Sequence, residues 1–270
     1  MMPYVIAICN QKGGVAKTTT TLGLGASLVE RGNETLIIDL DPQANLTSGI
    51  GLDADKVQFS LAEELLGKAD LDCIRQKTSL LGLDIVPSGA GMITIGRELY
   101  RMEGYEFCLR RLLAGPAVSD YGFILLDCPP SLGPLTFIAL TAADLLIIPT
   151  QCEYFSIQAL MDMFEAVNLV RERTNPHLKY RLLVTMFDGR GNFHSQMLEQ
   201  MREFFKGGLL QTIIGFDTKL REAQLFGRPV TVHAPQSRGA QQYRQLAEEL
   251  TVYATNEPKV QTAGSPVIRN

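Results

Sequence analysis

The sequence predicts an α/β protein with a doubly wound, largely parallel central sheet flanked by helices. Two observations predict this fold class. Short runs of apolar and β-branched residues alternate along the chain with longer stretches of helical periodicity, which is typical of strand–helix–strand units. The apolar runs also lack polar alternation, as expected of strands that helices cover on both faces.

The predicted strands are short, and three of them end beside a glycine-rich or acidic segment. Side chains at the carboxyl ends of parallel strands project at one edge of the sheet, where nucleotides bind in open α/β folds. The six predicted strands are residues 4–9, 35–38, 83–86, 123–126, 145–149 and 181–185.

Five stretches between and after these strands have the apolar periodicity of helices. We find no repeat and no linker before Thr255, so we expect a single domain over residues 1–255. Residues 256–270 contain proline, glycine and serine without an apolar helical face, which predicts a disordered tail. The predicted helices are residues 17–30, 97–113, 155–173, 193–205 and 239–253.

Composition and charge exclude several classes of protein. Hydrophobic residues make up 46% of the 270 residues and charged residues 20%, which is ordinary for a soluble protein with a core. No apolar run reaches the ~18 residues that cross a bilayer, and the N-terminus lacks the pattern of a secretion signal. We therefore expect a cytoplasmic protein. Its net charge of -4 means that any DNA binding must come from a local basic patch.

The cysteines do not form a metal-binding or disulfide pattern. They are scattered, odd in number and never spaced as C-x-x-C, so we expect small buried apolar side chains in a reducing compartment. The five are Cys9, Cys73, Cys108, Cys128 and Cys152.

A glycine-rich segment joins the first strand to the first helix and has the features of a phosphate-binding loop. Glycines let backbone N–H groups approach phosphate oxygens, and the helix N-terminus adds partial positive charge. Lys17 can reach the β- and γ-phosphates, and the Thr18 hydroxyl can join a Mg²⁺ shell. The strict G-x-x-x-x-G-K-[ST] pattern is absent, because Gln11 and Ala16 occupy its glycine positions. The predicted nucleotide-binding residues here are Gly13, Gly14, Val15, Ala16, Lys17, Thr18 and Thr19.

The run from Lys12 to Thr18 resembles the deviant Walker A motif, K-G-G-x-x-K-[ST], of the ParA/MinD family. The resemblance implies a P-loop NTPase fold that uses ATP and Mg²⁺. It also implies that Lys12 reaches across a dimer interface to the partner's ATP, as a cation delivered to developing phosphate charge. Ala16 replaces the family's commoner glycine. Alanine fits a helical backbone there and is strained at positive φ; we expect it to be tolerated.

Two acidic motifs follow predicted strands. By itself an acidic loop such as Asp39-Leu40-Asp41-Pro42-Gln43 is more often a helix cap or turn. The resemblance implies a switch I role, in which Asp41 orients the attacking water and Asp39 supports the Mg²⁺ shell or the loop geometry. Asp127 ends a hydrophobic strand, which is the Walker B arrangement with a water-mediated contact to Mg²⁺. The prolines that follow it suit a rigid switch II turn.

The resemblance covers about residues 4–253 and also bears on the later loops. Loops after late strands usually hold the base, so we expect residues near Met186 and Pro235 to contact adenine.

Basic residues in the later part of the chain are candidates for a DNA-binding surface. ParA-type members of the family bind DNA without sequence preference when ATP-bound, whereas MinD-type members bind membrane through a basic amphipathic C-terminal helix. The end of this chain lacks that pattern. The resemblance places Lys219 and Arg221 in a segment with DNA-binding residues, and Arg190, Arg228 and Arg238 are further basic residues. A solvated face with ordinary salt bridges is the alternative interpretation.

The resulting hypothesis is a short ParA-type positioning ATPase with slow intrinsic turnover. It would form a homodimer when ATP-bound, associate with the nucleoid through non-specific, salt-sensitive DNA contacts, and release when a ParB-like or cargo-adaptor protein stimulates hydrolysis. The cargo could be a plasmid, a chromosome or a protein assembly; no membrane partner is expected. The alternatives are a membrane-associated MinD-like switch, a metabolic ATP-dependent ligase or amidotransferase, and a reductase resembling the nitrogenase iron protein. The last needs bridging cysteines, for which Cys108 and Cys128 have the wrong settings.

Overall fold

The computed structural model describes residues 2–153 and 156–256 of the chain. Its strands are β1 (Tyr4–Ile8), β2 (Thr35–Asp39), β3 (Gln76–Lys77), β4 (Leu83–Val86), β5 (Phe123–Asp127), β6 (Leu145–Thr150) and β7 (Lys179–Val184). They form one sheet in the order β3-β4-β2-β5-β1-β6-β7. Every neighbouring pair is parallel except β3 with β4. This arrangement confirms the predicted largely parallel α/β sheet.

Helices fill the connections between the strands. Those in the first half of the chain are α1 (Lys17–Glu30), α2 (Asn45–Gly49), α3 (Leu61–Leu65), α4 (Leu71–Ile74), α5 (Met92–Leu99), α6 (Cys108–Leu112) and α7 (Pro134–Ala142). Those in the second half are α8 (Ser156–Arg173), α9 (Asn192–Phe204), α10 (Thr218–Leu225), α11 (Val230–His233) and α12 (Arg238–Asn256). The predicted bounds of α1 agree with the structure, and those of α8, α9 and α12 agree to within three residues at each described end.

The sheet is buried on both faces, which explains why its strands lack polar alternation. Along β1, Val5 and Ala7 belong to one apolar cluster, whereas Ile6 and Ile8 belong to the other. All five residues of this strand are buried. Since β1 lies between β5 and β6, the loop that follows it emerges near the middle of the sheet edge.

The predicted helix over residues 97–113 is wrong. The structure has α5 and α6 in this region, separated by a turn. Gly104 has a φ of 66°, a left-handed conformation that ends helical geometry and that glycine adopts without steric cost. The apolar periodicity continues across the break because both helices pack on the same core cluster.

Several short elements escaped prediction. The strand β3 has two residues and pairs antiparallel with β4, where the Lys77 ammonium lies 2.8 Å from the Asp84 carboxylate. The helix α7 is mostly buried, so it has no polar face that would reveal helical periodicity. The helix α10 is short and mainly polar, and its apolar pattern is correspondingly weak.

Four cysteines are buried as predicted, whereas Cys73 is exposed. Within residues 2–153 and 156–256, no group of three or more His, Cys, Asp or Glu side chains could hold a metal ion. In the same part of the chain, no helix is long and apolar enough to cross a membrane. The predicted tail lies outside the described residues apart from Asn256, and the single-domain division stays a prediction.

Candidate nucleotide-binding site

Three segments meet at the carboxyl edge of the sheet, as the motifs predict. Asp127, the last residue of β5, pairs with Ile8 of β1 on one side and with Asp39 of β2 on the other. The glycine-rich loop and the two acidic motifs are therefore adjacent. The site lies where three neighbouring parallel strands end, the usual position for ligands in such sheets.

The loop between β1 and α1 is braced by side chains that hold its backbone. The Asn10 amide donates to the carbonyl of Pro149 at 2.8 Å and accepts the Lys12 N–H at 2.9 Å. On the other side, the Thr185 hydroxyl donates to the Val15 carbonyl at 3.1 Å. Pro149 lies near the end of β6 and Thr185 directly follows β7, so the loop is held in place by the two strands on one side of β1.

Ala16 has φ 66° and ψ 34°, which is the left-handed region. Of the two backbone cases considered for Ala16, the structure therefore has the strained one, and the tolerance of alanine at this position stays a prediction. A β-carbon in this conformation approaches the carbonyl oxygen and costs about 1 kcal/mol or more. The Ala16 carbonyl accepts the first helical hydrogen bond, from the Thr20 N–H at 2.9 Å, and this contact sets the start of α1.

The first turn of α1 directs Lys17 and Thr18 toward the acidic edge. The Lys17 ammonium lies 3.4 Å from the Lys12 carbonyl oxygen, so its positive charge is beside the backbone of the phosphate loop. The Thr18 hydroxyl donates to Asp127 Oδ2 at 2.7 Å, and the Thr21 hydroxyl donates to Asp127 Oδ1 at 3.2 Å. The backbone N–H groups at a helix start have no intrahelical acceptor and can bind an anion.

The buried carboxylates make this edge suited to a cation. Burial, together with the neighbouring Asp39 carboxylate, raises the pKa of Asp127 to about 8. Burial also raises the pKa of Asp39 to about 6, against the lowering effect of hydrogen bonds from Thr47. A bound cation would favour the ionised forms of both groups. The surrounding donors are carboxylate and hydroxyl oxygens, which Mg²⁺ prefers, so the residues fit this ion.

Asp39 and Asp41 differ in how their oxygens are used. Asp39 accepts the Asp41 N–H on Oδ1 at 3.1 Å and both the N–H and the hydroxyl of Thr47 on Oδ2. Of the two roles implied for Asp39, these contacts support the maintenance of loop geometry. Asp41 accepts the Gln43 N–H on Oδ1 at 2.9 Å, and its carbonyl accepts the Ser88 hydroxyl at 2.8 Å. Its Oδ2 has no hydrogen-bond partner among the described residues.

The Lys12 ammonium is held by side chains of its own chain. Its ammonium lies 2.5 Å from Glu153 Oε2 and 3.3 Å from Gln151 Oε1, in the segment after β6. The Gln151 amide also donates to the Gly14 carbonyl at 3.2 Å, which connects this segment to the loop. The Lys12 and Glu153 side chains are 29% and 48% exposed, so the ion pair is accessible to solvent.

The two residues predicted near adenine lie in separate depressions. Met186, which has a φ of 53°, lines a narrow cleft with Ala16 and Thr19. Pro235 lines an open surface pocket with Asp217, and Asp217 also borders the cleft. The structure thus brings Met186 to the phosphate loop, whereas Pro235 lines the neighbouring pocket, which shares Asp217 with the cleft.

The candidate DNA-binding residues are exposed or near the surface, and most have partners within the chain. Arg190 forms an ion pair with Asp188 at 2.6 Å, and Lys219 pairs with Glu222 at 2.7 Å. Both pairs involve exposed side chains, so little energy is needed to exchange them for other charges. Two of the remaining candidates contact Phe216: Arg221 stacks on its ring and Arg238 donates to its carbonyl. Arg228 is exposed.

Sequence reasoning missed several residues that shape the site. Gln151 bridges Lys12 and Gly14, Ser88 holds the Asp41 carbonyl, and Gln224 donates to the Thr19 hydroxyl at 2.9 Å. Gln151 lies in a segment that resembles the family, which is a usable signal. Ser88 and Gln224 belong to no motif, and only the folded chain brings them to the site.

A two-lysine phosphate loop beside buried carboxylates, at the carboxyl edge of a parallel sheet, defines the class of P-loop NTPases. Residues 3–180 match the model of a family described as an AAA domain. The chain is 39% identical to the chromosome partitioning protein ParA of Myxococcus xanthus (strain DK1622), over 91% of this chain and 87% of that protein. It is also 39% identical to the sporulation initiation inhibitor protein Soj of Bacillus subtilis (strain 168), over 92% and 98% respectively.

A crystal structure of cobyrinic acid a,c-diamide synthase from Mycobacterium smegmatis, with bound ATP analogue and magnesium, has the same fold. Its TM-score is 0.83 and its sequence identity 33%, over 94% of this chain and 96% of that one. The extent of these matches shows the family: the chain belongs to the ParA/MinD family of P-loop ATPases.

Proposed function

We propose that this protein is a ParA-type positioning ATPase that binds ATP with Mg²⁺ and closes into an ATP-bound homodimer. The observation that carries the proposal is that the two lysines of the phosphate loop have different surroundings. The Lys17 ammonium lies beside the Lys12 carbonyl oxygen of the loop, whereas the Lys12 ammonium contacts Gln151 and Glu153 in a partly exposed segment. A lysine in that position is available to a second subunit once its own ion pair opens.

The residues of one chain suffice to hold the nucleotide and the ion. Lys17 and the free N–H groups at the start of α1 would bind the phosphates. Thr18 and Asp127 would hold Mg²⁺, directly or through water. Magnesium, when bound, neutralises charge on the β- and γ-phosphates. Asp41, with one oxygen unpaired, would orient the attacking water, and Asp39 would keep the Asp41 loop in position.

Sequence-independent DNA binding is part of the same proposal. Lys219 and Arg221 lie on α10, and Arg238 lines the surface pocket together with Lys219. Arg190 is an exposed residue of the loop after β7. Such side chains would contact phosphates, and the affinity would fall steeply with salt. We propose that the ATP-bound dimer is the DNA-binding form and that it associates with the nucleoid.

Hydrolysis would be slow until a partner protein stimulates it. The relatives include proteins named for chromosome partitioning and for inhibition of sporulation initiation, and both fit a positioning role. We propose a ParB-like or cargo-adaptor partner for this chain.

A second candidate is an ATP-dependent amide ligase, because the similar Mycobacterium smegmatis structure carries the name of a diamide synthase. The position of Lys12, paired with the partly exposed Glu153, favours the positioning ATPase over the ligase. A ligase that acts within one subunit does not require a lysine that can reach a second subunit. ATP consumption that requires a carboxylic acid and glutamine would favour the ligase.

The deciding experiment measures mass by light scattering on the Asp41→Ala variant with ATP or ADP, followed by DNA binding of the same samples. We expect an ATP-only dimer that binds DNA at low salt and releases it at high salt. Lys17→Ala serves as the control, because it removes nucleotide binding. A mass unaffected by ATP would refute the ATP-dependent dimer. A dimer that does not bind DNA would indicate that the ATP-bound form binds a membrane or another scaffold.

A further inference from the structure

Helix α10 contacts the nucleotide site directly, although the two are far apart in sequence. The Gln224 side-chain amide donates to the Thr19 hydroxyl at 2.9 Å, across a separation of 205 residues. Both side chains are half-buried, so the contact is only partly screened by solvent. The bond joins the first turn of α1 to the last turn of α10.

Thr19 is placed to sense a phosphate. The first helical hydrogen bond of α1 runs from Thr20 to Ala16, so the Thr19 N–H has no intrahelical acceptor. Because Gln224 donates to the Thr19 oxygen, the hydroxyl proton stays free to be donated to a phosphate oxygen. A phosphate at this helix end would thus extend the chain of hydrogen bonds to Gln224, and such chains strengthen cooperatively.

A second contact joins the turn after α10 to the turn after α2, the helix that follows the Asp41 loop. The helix α2 begins just after this loop and is anchored by the Thr47 N–H, which donates to Asp39 Oδ2 at 2.9 Å. The turn after α2 packs backbone against backbone on the turn after α10. A β-carbon built on Gly227 would lie 2.6 Å from the Gly51 α-carbon, so no side chain fits between them. A shift of the Asp41 loop is therefore transmitted to the end of α10.

The helix α10 also carries part of the basic surface. Lys219 is exposed, and Arg221 lines the cleft that Ala16 and Thr19 border. Arg228 is exposed directly after the helix. This short helix and the turn after it thus contact the first turn of α1 and the turn after α2, and they carry part of the basic surface.

We propose that Gln224 is a positioning residue that couples the orientation of α10 to the nucleotide at Thr19. The inference rests on the proposed function only where it assigns α10 to DNA binding. ATP, which engages both the phosphate helix and the Asp41 loop, fixes α10 through both contacts. ADP engages only the phosphate helix and leaves α10 with one of these two contacts.

Amide hydrogen exchange over residues 218–225 tests the coupling without DNA. We compare the full chain in an Asp41→Ala background with saturating Mg-ATP or Mg-ADP. ATP is expected to slow exchange in α10 relative to ADP, and Gln224→Leu to reduce this difference by roughly threefold to tenfold, the worth of one hydrogen bond. Gln245→Leu makes the same change on an exposed part of α12 and should leave the difference unaltered. Equal exchange with both nucleotides, or an unaffected Gln224→Leu variant, would overturn the proposal.

DNA affinity gives the second readout. The ratio of affinities for a short duplex in the ATP and ADP states should fall by a similar factor in Gln224→Leu, with nucleotide affinity changed much less. If the wild-type chain binds no DNA in either state, the DNA-binding part of the proposed function fails while the exchange measurement still decides the coupling.

If Gln224→Leu does not fold, Thr19→Val and Thr19→Ser replace it: the serine variant should keep the coupling and the valine variant should lose it. Equal coupling in both would refute the proposal.

Discussion

At the scale of single residues, backbone strain is concentrated around the nucleotide site. Among the described residues, three residues other than glycine have positive φ: Ala16, Ala44 and Met186. Ala16 belongs to the phosphate loop, Ala44 follows the Asp41 loop, and Met186 lines the cleft beside Thr19. Strained conformations persist where the surrounding contacts over-determine them, and they are common at binding sites.

Ala16→Gly is expected to stabilise the protein by up to about 1 kcal/mol, because glycine adopts the left-handed backbone conformation without strain. The greater conformational entropy of glycine in the unfolded chain offsets part of this gain. Urea unfolding measures the change. Ala26→Gly is the matched control: Ala26 is buried inside α1, so the same substitution should destabilise. The prediction fails if both variants unfold at lower urea than the wild type.

The pKa values of the buried pair predict proton release on binding Mg-nucleotide. Burial raises the pKa of Asp127 to about 8 and that of Asp39 to about 6, so near neutral pH the free protein keeps a proton on Asp127 while Asp39 is largely ionised. Because both pKa values are raised in the folded protein, protonation of these carboxyl groups stabilises the fold at low pH. This stabilisation is lost as the pH rises through about 6 for Asp39 and about 8 for Asp127. Mg²⁺ favours the ionised forms, so affinity should rise with pH over this window.

Calorimetry with preformed Mg-ATP in buffers of different ionisation enthalpy measures this proton release. About one proton per protomer is expected at pH 7 and almost none at pH 9, where both carboxylates are already ionised. Heat that is independent of the buffer at pH 7 would contradict the assignment of a proton to Asp127 in the free protein.

At the scale of elements, the close approach of α1 and α12 holds the phosphate helix in place. A β-carbon on Gly23 would lie 2.4 to 2.8 Å from atoms of the Tyr243 ring. Tyr243 is fully buried, and its hydroxyl lies 3.2 Å from that of Thr20, so the ring cannot swing away. The glycine is required by packing, not by backbone conformation.

Gly23→Ala is therefore expected to destabilise the protein by about 1 to 3 kcal/mol, since overpacking exceeds the gain in helix propensity. Gly96→Ala is the control within α5, where a β-carbon meets nothing within 4 Å and propensity alone should stabilise slightly. Denaturant midpoints of the two variants should move in opposite directions. A stabilised Gly23→Ala variant would show that the two helices can separate without cost.

At the scale of the whole molecule, nucleotide binding and dimerisation should both be visible in thermal stability. Mg-ATP is expected to raise the melting temperature, because a ligand that binds only the folded state stabilises it. In the Asp41→Ala variant the increase should grow with protein concentration for ATP but not for ADP, as mass action requires of an ATP-only dimer. Lys17→Ala should show neither effect. A concentration-independent increase would indicate a monomer that binds ATP.

The sequence by itself determined the fold class, the position of the phosphate loop and the carboxylates beside it. These features depend on local patterns: apolar runs make buried strands, glycines before Lys17 make a phosphate cradle, and Asp127 ends a strand. Only the tertiary structure decided that Ala16 is left-handed, that Lys12 pairs with Glu153 and that Gln224 reaches Thr19. The physical reason is that the Lys12 and Gln224 contacts join segments separated by more than a hundred residues, and that the loop around Ala16 is held by hydrogen bonds to Pro149 and Thr185. No local propensity encodes which side chains will meet when the sheet and its helices pack.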